Sequence, residues 1–259
     1  MKMKKGFTLV ELSIVLVIIG LLIGGILVAQ SMIDSVKAQS FIRQIGQINI
    51  AASNFKTKYN YLPGDSPFHS AAGDGDNKLE DSNINSGSTT YVRDFNYEFS
   101  NFWVHLQQDG FLAKEYSTLS ADASSGIVVG THIPSASGAS SKNAGILPYY
   151  HSFYSYGKYK YIFCDWSTTT TELIWTSWGN QSPIFTPMQA FSIDVKMDDG
   201  ITGFATSPNV YSYTGNVLGY GPTGADTCYS SSANNTYLTN SDIGCCMMVN
   251  MFIQTGQTQ

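Results

Sequence analysis

Eighteen residues, Leu12–Ala29, run LSIVLVIIGLLIGGILVA with Ser13 as the only polar side chain. A run of that length and composition is long enough to cross a bilayer as a helix. Lys2, Lys4 and Lys5 precede it, and basic residues stay on the cytoplasmic side, so the rest of the chain is expected outside the cytoplasm. The anomaly is Glu11 at the mouth of the run, because a carboxylate in hydrocarbon is costly unless it finds a partner.

A cleaved signal peptide needs a shorter apolar stretch and a small-x-small cleavage site. The residues at its end and just beyond, LVAQSMIDS, offer no such site. A plain membrane tether accommodates the run but gives Glu11 no purpose. Gly6-Phe7-Thr8-Leu9-Val10-Glu11, placed after a short basic leader and before an unbroken apolar run, resembles the prepilin processing motif of type IV pilins and type II secretion pseudopilins.

That resemblance implies cutting after Gly6 by a prepilin peptidase/methyltransferase, which also methylates the new N-terminus at Phe7. It further implies that Glu11, the fifth mature residue, meets the terminal ammonium of a neighbouring subunit during assembly. Gly20 matches a family glycine along the helix. Most type IV pilins carry a proline where this chain has Val28; here the adjacent Gly24 and Gly25 are the expected points of helix flexibility, since glycine weakens a helix by about 1 kcal/mol relative to alanine. The implied partners are copies of the chain or other pilins in a filament, the peptidase, and an inner-membrane assembly platform.

Beyond Ala29 the sequence turns amphipathic. Phe41, Ile45, Ile48, Ala52, Phe55 and Tyr59 recur at spacings of three and four, one stripe along a helix. One helix over Phe7–Tyr59 would be about 80 Å long, ended by Leu62-Pro63-Gly64-Asp65. The expected organisation is a leader at 1–6, a membrane or filament-core half-helix at 7–30, an amphipathic half at 31–61 and a globular head at 62–259.

Within the head, Phe99, Phe102, Trp103 and Leu106 predict a short helix closed at Asp109-Gly110. Residues 118–146 read as loops with one brief strand over Gly126–Gly130. Further strands are expected over Tyr159–Trp166, Glu172–Trp178, Ala190–Met197, Ile201–Ala205 and Cys246–Phe252, with Asp199-Gly200 as a hairpin turn. The aromatic run Tyr149–Phe163 reads as an alternating strand with one buried face. A long helix followed by an antiparallel sheet is an α+β fold, pilin-like in layout.

With 14 basic against 19 acidic side chains, the chain is mildly acidic, and more so without its leader lysines. Nucleic acid is therefore not an expected partner. Only 13% of residues are charged, a surface that suits an exported protein. The four cysteines form no CxxC pair, so disulfides are expected rather than zinc. Pilins often close a C-terminal loop with a disulfide, and the resemblance implies one from Cys228 to either Cys245 or Cys246, leaving Cys164 to pair with the other or stay a buried thiol.

Catalysis finds little in the sequence. His69, His105, His132 and His151 are scattered, and no nucleophile elbow, phosphate loop or dinucleotide fingerprint occurs. No organic cofactor is expected. Asp74-Gly75-Asp76-Asn77 begins like an EF-hand loop, but Lys78 and Asn85 stand where ligands belong. A looser calcium site from Asp65, Asp74, Asp76 and Glu80 is weighed against a solvated acidic turn. Asp194, Asp198 and Asp199 read as strand-exit and turn residues. The function expected is a structural subunit of a type IV pilus or related filament, not an enzyme. A type II secretion pseudopilin or minor pilin is the alternative, and a membrane-tethered extracytoplasmic binding protein is the rival of another class.

Overall fold

A computed structural model describes residues 6, 8–79, 98–118, 127–151, 158–166, 181–201, 204–207, 210–213, 215–221, 227–230 and 236–251. Its first element, α1 (Leu9–Tyr59), is an unbroken helix of 51 residues, about 77 Å long. Thr8 caps its N-terminus, and Asn60 closes its C-terminus in the left-handed region, with φ 61°. The end therefore precedes Pro63: an asparagine tolerates αL and finishes the helix first. Gly20, Gly24 and Gly25 lie inside regular helix, with open space where a Cβ would be.

The two halves of α1 differ as their sequences do. Leu12, Ile14, Val15, Leu16, Ile18 and Leu22 all remain exposed. From Ala38 onward, Phe41, Ile45, Ile48, Ala52 and Phe55 are buried against the head, and Tyr59 is partly buried beside them. Gln44 fastens the same half, donating to Ser135 O at 2.8 Å and accepting from Ser137 N at 2.7 Å.

The helix rests on a four-stranded antiparallel sheet of β1 (Ala144–His151), β2 (Lys158–Asp165), β8 (Cys246–Asn250) and β5 (Val217–Tyr220), in the order β1-β2-β8-β5. Ile162 pairs with Leu147 on one side and Met248 on the other, and Met248 pairs onward with Leu218. Strand side chains alternate between faces, which places Tyr161 and Phe163 on the helix side. Phe163 meets Phe41 at 4.5 Å between ring centroids, and Tyr161 meets Phe102 at 6.1 Å. Phe102 belongs to α2 (Glu98–Gln108), where every side chain from Glu98 to Leu106 is buried. The opposite face is covered too, since Ile162 and Cys164 are fully buried. The aromatic run is thus two paired strands rather than one.

Two corrections follow. Ala190–Met197, expected as a strand, lies within helix α3 (Pro187–Met197). Thr186 caps it through Gln189 in a capping box, and Pro187 occupies the first turn, where its missing N–H costs nothing. Asp199-Gly200 is consequently a helix exit, and the next strand, β3 (Phe204–Ser207), pairs with β4 (Val210–Tyr213). The brief strand near Gly130 is a single bridge, Val129 to Ile133. The strand expected over Glu172–Trp178 lies outside the described residues. The short pair β6 (Tyr229–Ser230) and β7 (Thr236–Tyr237) completes the head.

Candidate functional site

At the start of α1 the carboxylate that seemed stranded has local partners. Glu11 Oε2 accepts from Thr8 N at 2.8 Å and from Thr8 Oγ1 at 2.9 Å. Thr8 Oγ1 in turn accepts from Glu11 N at 3.3 Å. This reciprocal capping box satisfies backbone donors that a helix start leaves open. Thr8 is the residue that sequence reasoning passed over, although a threonine three residues before a glutamate carries that signature. Both groups are exposed, so the carboxylate stays reachable by another molecule. Gly6 is exposed, and Phe7 lies outside the described residues. α1 is long and apolar enough to cross a membrane, and its apolar half buries nothing against the head.

The acidic corner is arranged differently from the expected set. Asp65 is fully buried, its Oδ1 accepting from Gly75 N at 2.7 Å and its Oδ2 from Asn77 N at 2.8 Å. Burial pushes its carboxyl up to about 6 despite these donors. Gly75 turns with φ +82°, a conformation that glycine adopts without strain. The third carboxylate is Glu98 of α2, also buried, whose Oε1 accepts from Asp74 N at 3.0 Å. One oxygen each from Asp65, Asp74 and Glu98 lies within 4.8 Å of the others, enough to supply part of the six to eight oxygens that calcium takes. Asp76 turns away to pair with Lys78, and Glu80 lies outside the described residues. Glu98 was out of reach of sequence reasoning because only the packing of α2 brings it to the loop. Asp194, Asp198 and Asp199 form a second such group, with Asp194 accepting from Tyr237 Oη at 2.8 Å and pushed by burial to about 7.

Two of the scattered histidines meet. His69 and His105 stack at 4.4 Å beside Phe55. His105 Nδ1 accepts from Gly64 N at 2.9 Å and its Nε2 donates to Ala71 O at 2.8 Å, so the buried ring is neutral. Burial holds it down near 4. His69 bridges Ser66 Oγ at 2.9 Å and Asp109 Oδ2 at 3.3 Å, the connectivity of a hydrolytic triad. Ser66 is fully buried, and its Oγ accepts from Phe68 N at 3.4 Å. The chain of bonds therefore ties the loop after α1 to the end of α2 and gives a substrate no approach to the hydroxyl.

All four cysteines are paired. Cys228 bonds Cys245, and Cys164 bonds Cys246 across β2 and β8. Adjacent residues point to opposite faces of a strand, which sends these neighbours to different partners.

The family model for the prokaryotic N-terminal methylation motif matches residues 1–27. No curated protein and no solved structure matches the chain. The matched stretch contains Gly6, the Thr8–Glu11 cap and all but the last two residues of the apolar run, and with these residues the chain carries the prepilin signature of the type IV pilin family.

Proposed function

We propose that this protein is a structural subunit of a type IV pilus or a closely related filament, cut after Gly6 and polymerised through α1. The observation that carries the reading is the division of one continuous helix. Its second half is buried in the head, while its first half leaves every large apolar side chain exposed. Such a surface needs lipid before assembly and other helices after it. Glu11 gives the association direction. Held by Thr8 in the single chain, its carboxylate can pass to the ammonium of Phe7 on another copy, and desolvation strengthens that pair and penalises wrong register.

The precursor would sit in the bacterial inner membrane, meet the peptidase and assembly platform there, and end in a periplasmic or extracellular filament. A type II secretion pseudopilin or a minor pilin uses the same N-terminal physics. The tethered binding protein differs in needing neither the cut nor Glu11.

Two measurements separate a filament subunit from the tether. The intact mass of the membrane-extracted protein should start at Phe7 and carry one additional methyl group. Glu11→Ala should keep a folded head yet lose sheared filaments. A mass starting at Met1, or normal filaments from the variant, overturns the proposal.

A further inference from the structure

The stretch that leads into β8 reads Cys245-Cys246-Met247-Met248, two residues each followed by its own kind. A strand's register is set by which residues belong on which face, and a slip of one residue turns each to the other face. Here such a slip would put Cys245 in the place of Cys246 opposite Cys164, and Met247 in the place of Met248 between Ile162 and Leu218. That face of the sheet would keep a cysteine and a methionine where it has them now. On the helix side Cys246 would replace Met247 and Met248 would replace Val249, all of them apolar. The main-chain bonds that seat the segment, from Phe185 N to Cys245 O at 3.0 Å and from Cys245 N to Phe185 O at 2.9 Å, are indifferent to which residue supplies them. Costs fall at the two ends. Val249 would displace Asn250, whose amide donates to Asn216 Oδ1 at 3.2 Å. Ile243 would displace Gly244, where a Cβ stands 2.0 Å from Thr227 O. Both costs favour the register seen here, and both act only once the strand is in the sheet.

Before that, chain statistics favour neither pairing. Exchanging the neighbours Cys245 and Cys246 between Cys164 and Cys228 changes each loop by one residue and the odds of closure by about 1.1-fold. Nor does the order of folding decide. β8 is the last of the four strands in the chain, yet it lies between β2 and β5 inside the sheet. A chain made from its N-terminus has Cys164 and Cys228 open to oxidation before that strand exists.

We propose that β8 also closes in a second register, one residue along, locked by Cys164–Cys245 and Cys228–Cys246, and that the chain leaves it by exchange with an external thiol. Cys228 stands outside the four-stranded sheet, beside β6, and in that isomer follows Cys246 by two residues, about 7 Å. To correct it, the external thiolate attacks Cys245 Sγ, forms a mixed disulfide and expels the Cys164 thiolate. Cys164 attacks Cys246 Sγ and expels the Cys228 thiolate, which attacks Cys245 Sγ and returns the external thiolate. Two disulfides are present before and after, and no oxidant is consumed. In the register seen here all four cysteines are buried, so the exchange stops there. The partner this chemistry implies is a thiol–disulfide isomerase in the compartment where the head folds. The inference goes beyond the filament reading and holds or fails without it.

Reduced full-length chain in detergent micelles would be refolded with ferricyanide alone, or with a mixture of reduced and oxidised glutathione. Fragmentation between Cys245 and Cys246 in the mass spectrometer reads the pairing. Ferricyanide should give the two isomers within about twofold of each other. Glutathione should leave the pairing seen here in at least about tenfold excess. Native pairing alone from ferricyanide overturns the inference, as does a bond from Cys164 to Cys228 or a swapped isomer that glutathione fails to convert. The slip itself is read on the full-length chain carrying Cys228→Ala and Cys246→Ala, which retains Cys164 and Cys245. Its Met248 methyl should show a nuclear Overhauser contact with the Tyr161 ring. Met248 remaining beside Ile162, in this variant or in the swapped isomer purified from wild type, overturns the second register.

Discussion

His105 has both ring nitrogens committed to the backbone, one accepting from Gly64 and one donating to Ala71. Protonation would set a new N–H against the Gly64 N–H. Because burial lowers its folded value from 6.5 to about 4, the neutral ring favours the fold above pH 6.5, and that contribution is lost as pH falls toward 4. Buried Asp65 and Asp194 act in the opposite sense, since their raised values make the fold gain stability as pH falls through about 6 and 7 respectively. The net curve mixes all three, so a difference isolates the histidine. The melting temperature of His105→Gln relative to wild type should rise steadily between pH 7 and pH 4; a constant difference would mean that the ring does not titrate in this range. None of this was legible from four dispersed histidines, because the contact between His69 and His105 exists only once α2 has packed beside the loop after α1.

Among the elements, α1, α2, β2 and β8 could be read from periodicity and length, and α3 could not. Phe191, Ile193, Val195 and Met197 alternate with other residues, which is a strand pattern. In a strand these four would share a face. In the helix, Ile193 is 1% exposed and Val195 50%. The competing signal was the Thr186-Pro187-Met188-Gln189 start, a local cap that the alternation obscured. Substitution distinguishes the two geometries. Ile193→Ala should cost about 2–5 kcal/mol, and Val195→Ala should stay within about 0.5 kcal/mol, measured by denaturant unfolding of the head. Equal losses would favour the strand. The hairpin β1–β2 shows the converse limit. Its aromatic residues announced strands, but nothing in the run marked where one strand ended and its partner began.

For the whole molecule, the layout could be inferred because an apolar span leading into an amphipathic stripe demands something to pack on the stripe. What closes the sheet could not be inferred. β5, between 217 and 220, is four residues long and includes Gly219, too short and too weak in propensity to stand out. The cysteine partners likewise depended on fold, since only register places Cys246 opposite Cys164. Their separations are 82 and 17 residues. On chain-entropy grounds, replacing Cys164 and Cys246 by alanine should cost about 4.5 kcal/mol and replacing Cys228 and Cys245 about 3 kcal/mol. Chemical denaturation of the two double variants checks the order, which reverses if local strain rather than loop length dominates.

The adjacency of Cys245 and Cys246 also bears on survival outside the cell. Any single protease cut between Cys164 and Cys245 leaves both fragments joined, because Cys164–Cys246 spans the whole interval. A cut between Cys228 and Cys245 leaves them joined twice. A nicked head would thus run as an intact chain until reduced, and a filament built from such heads could absorb enzymatic damage along much of its exposed chain without shedding pieces.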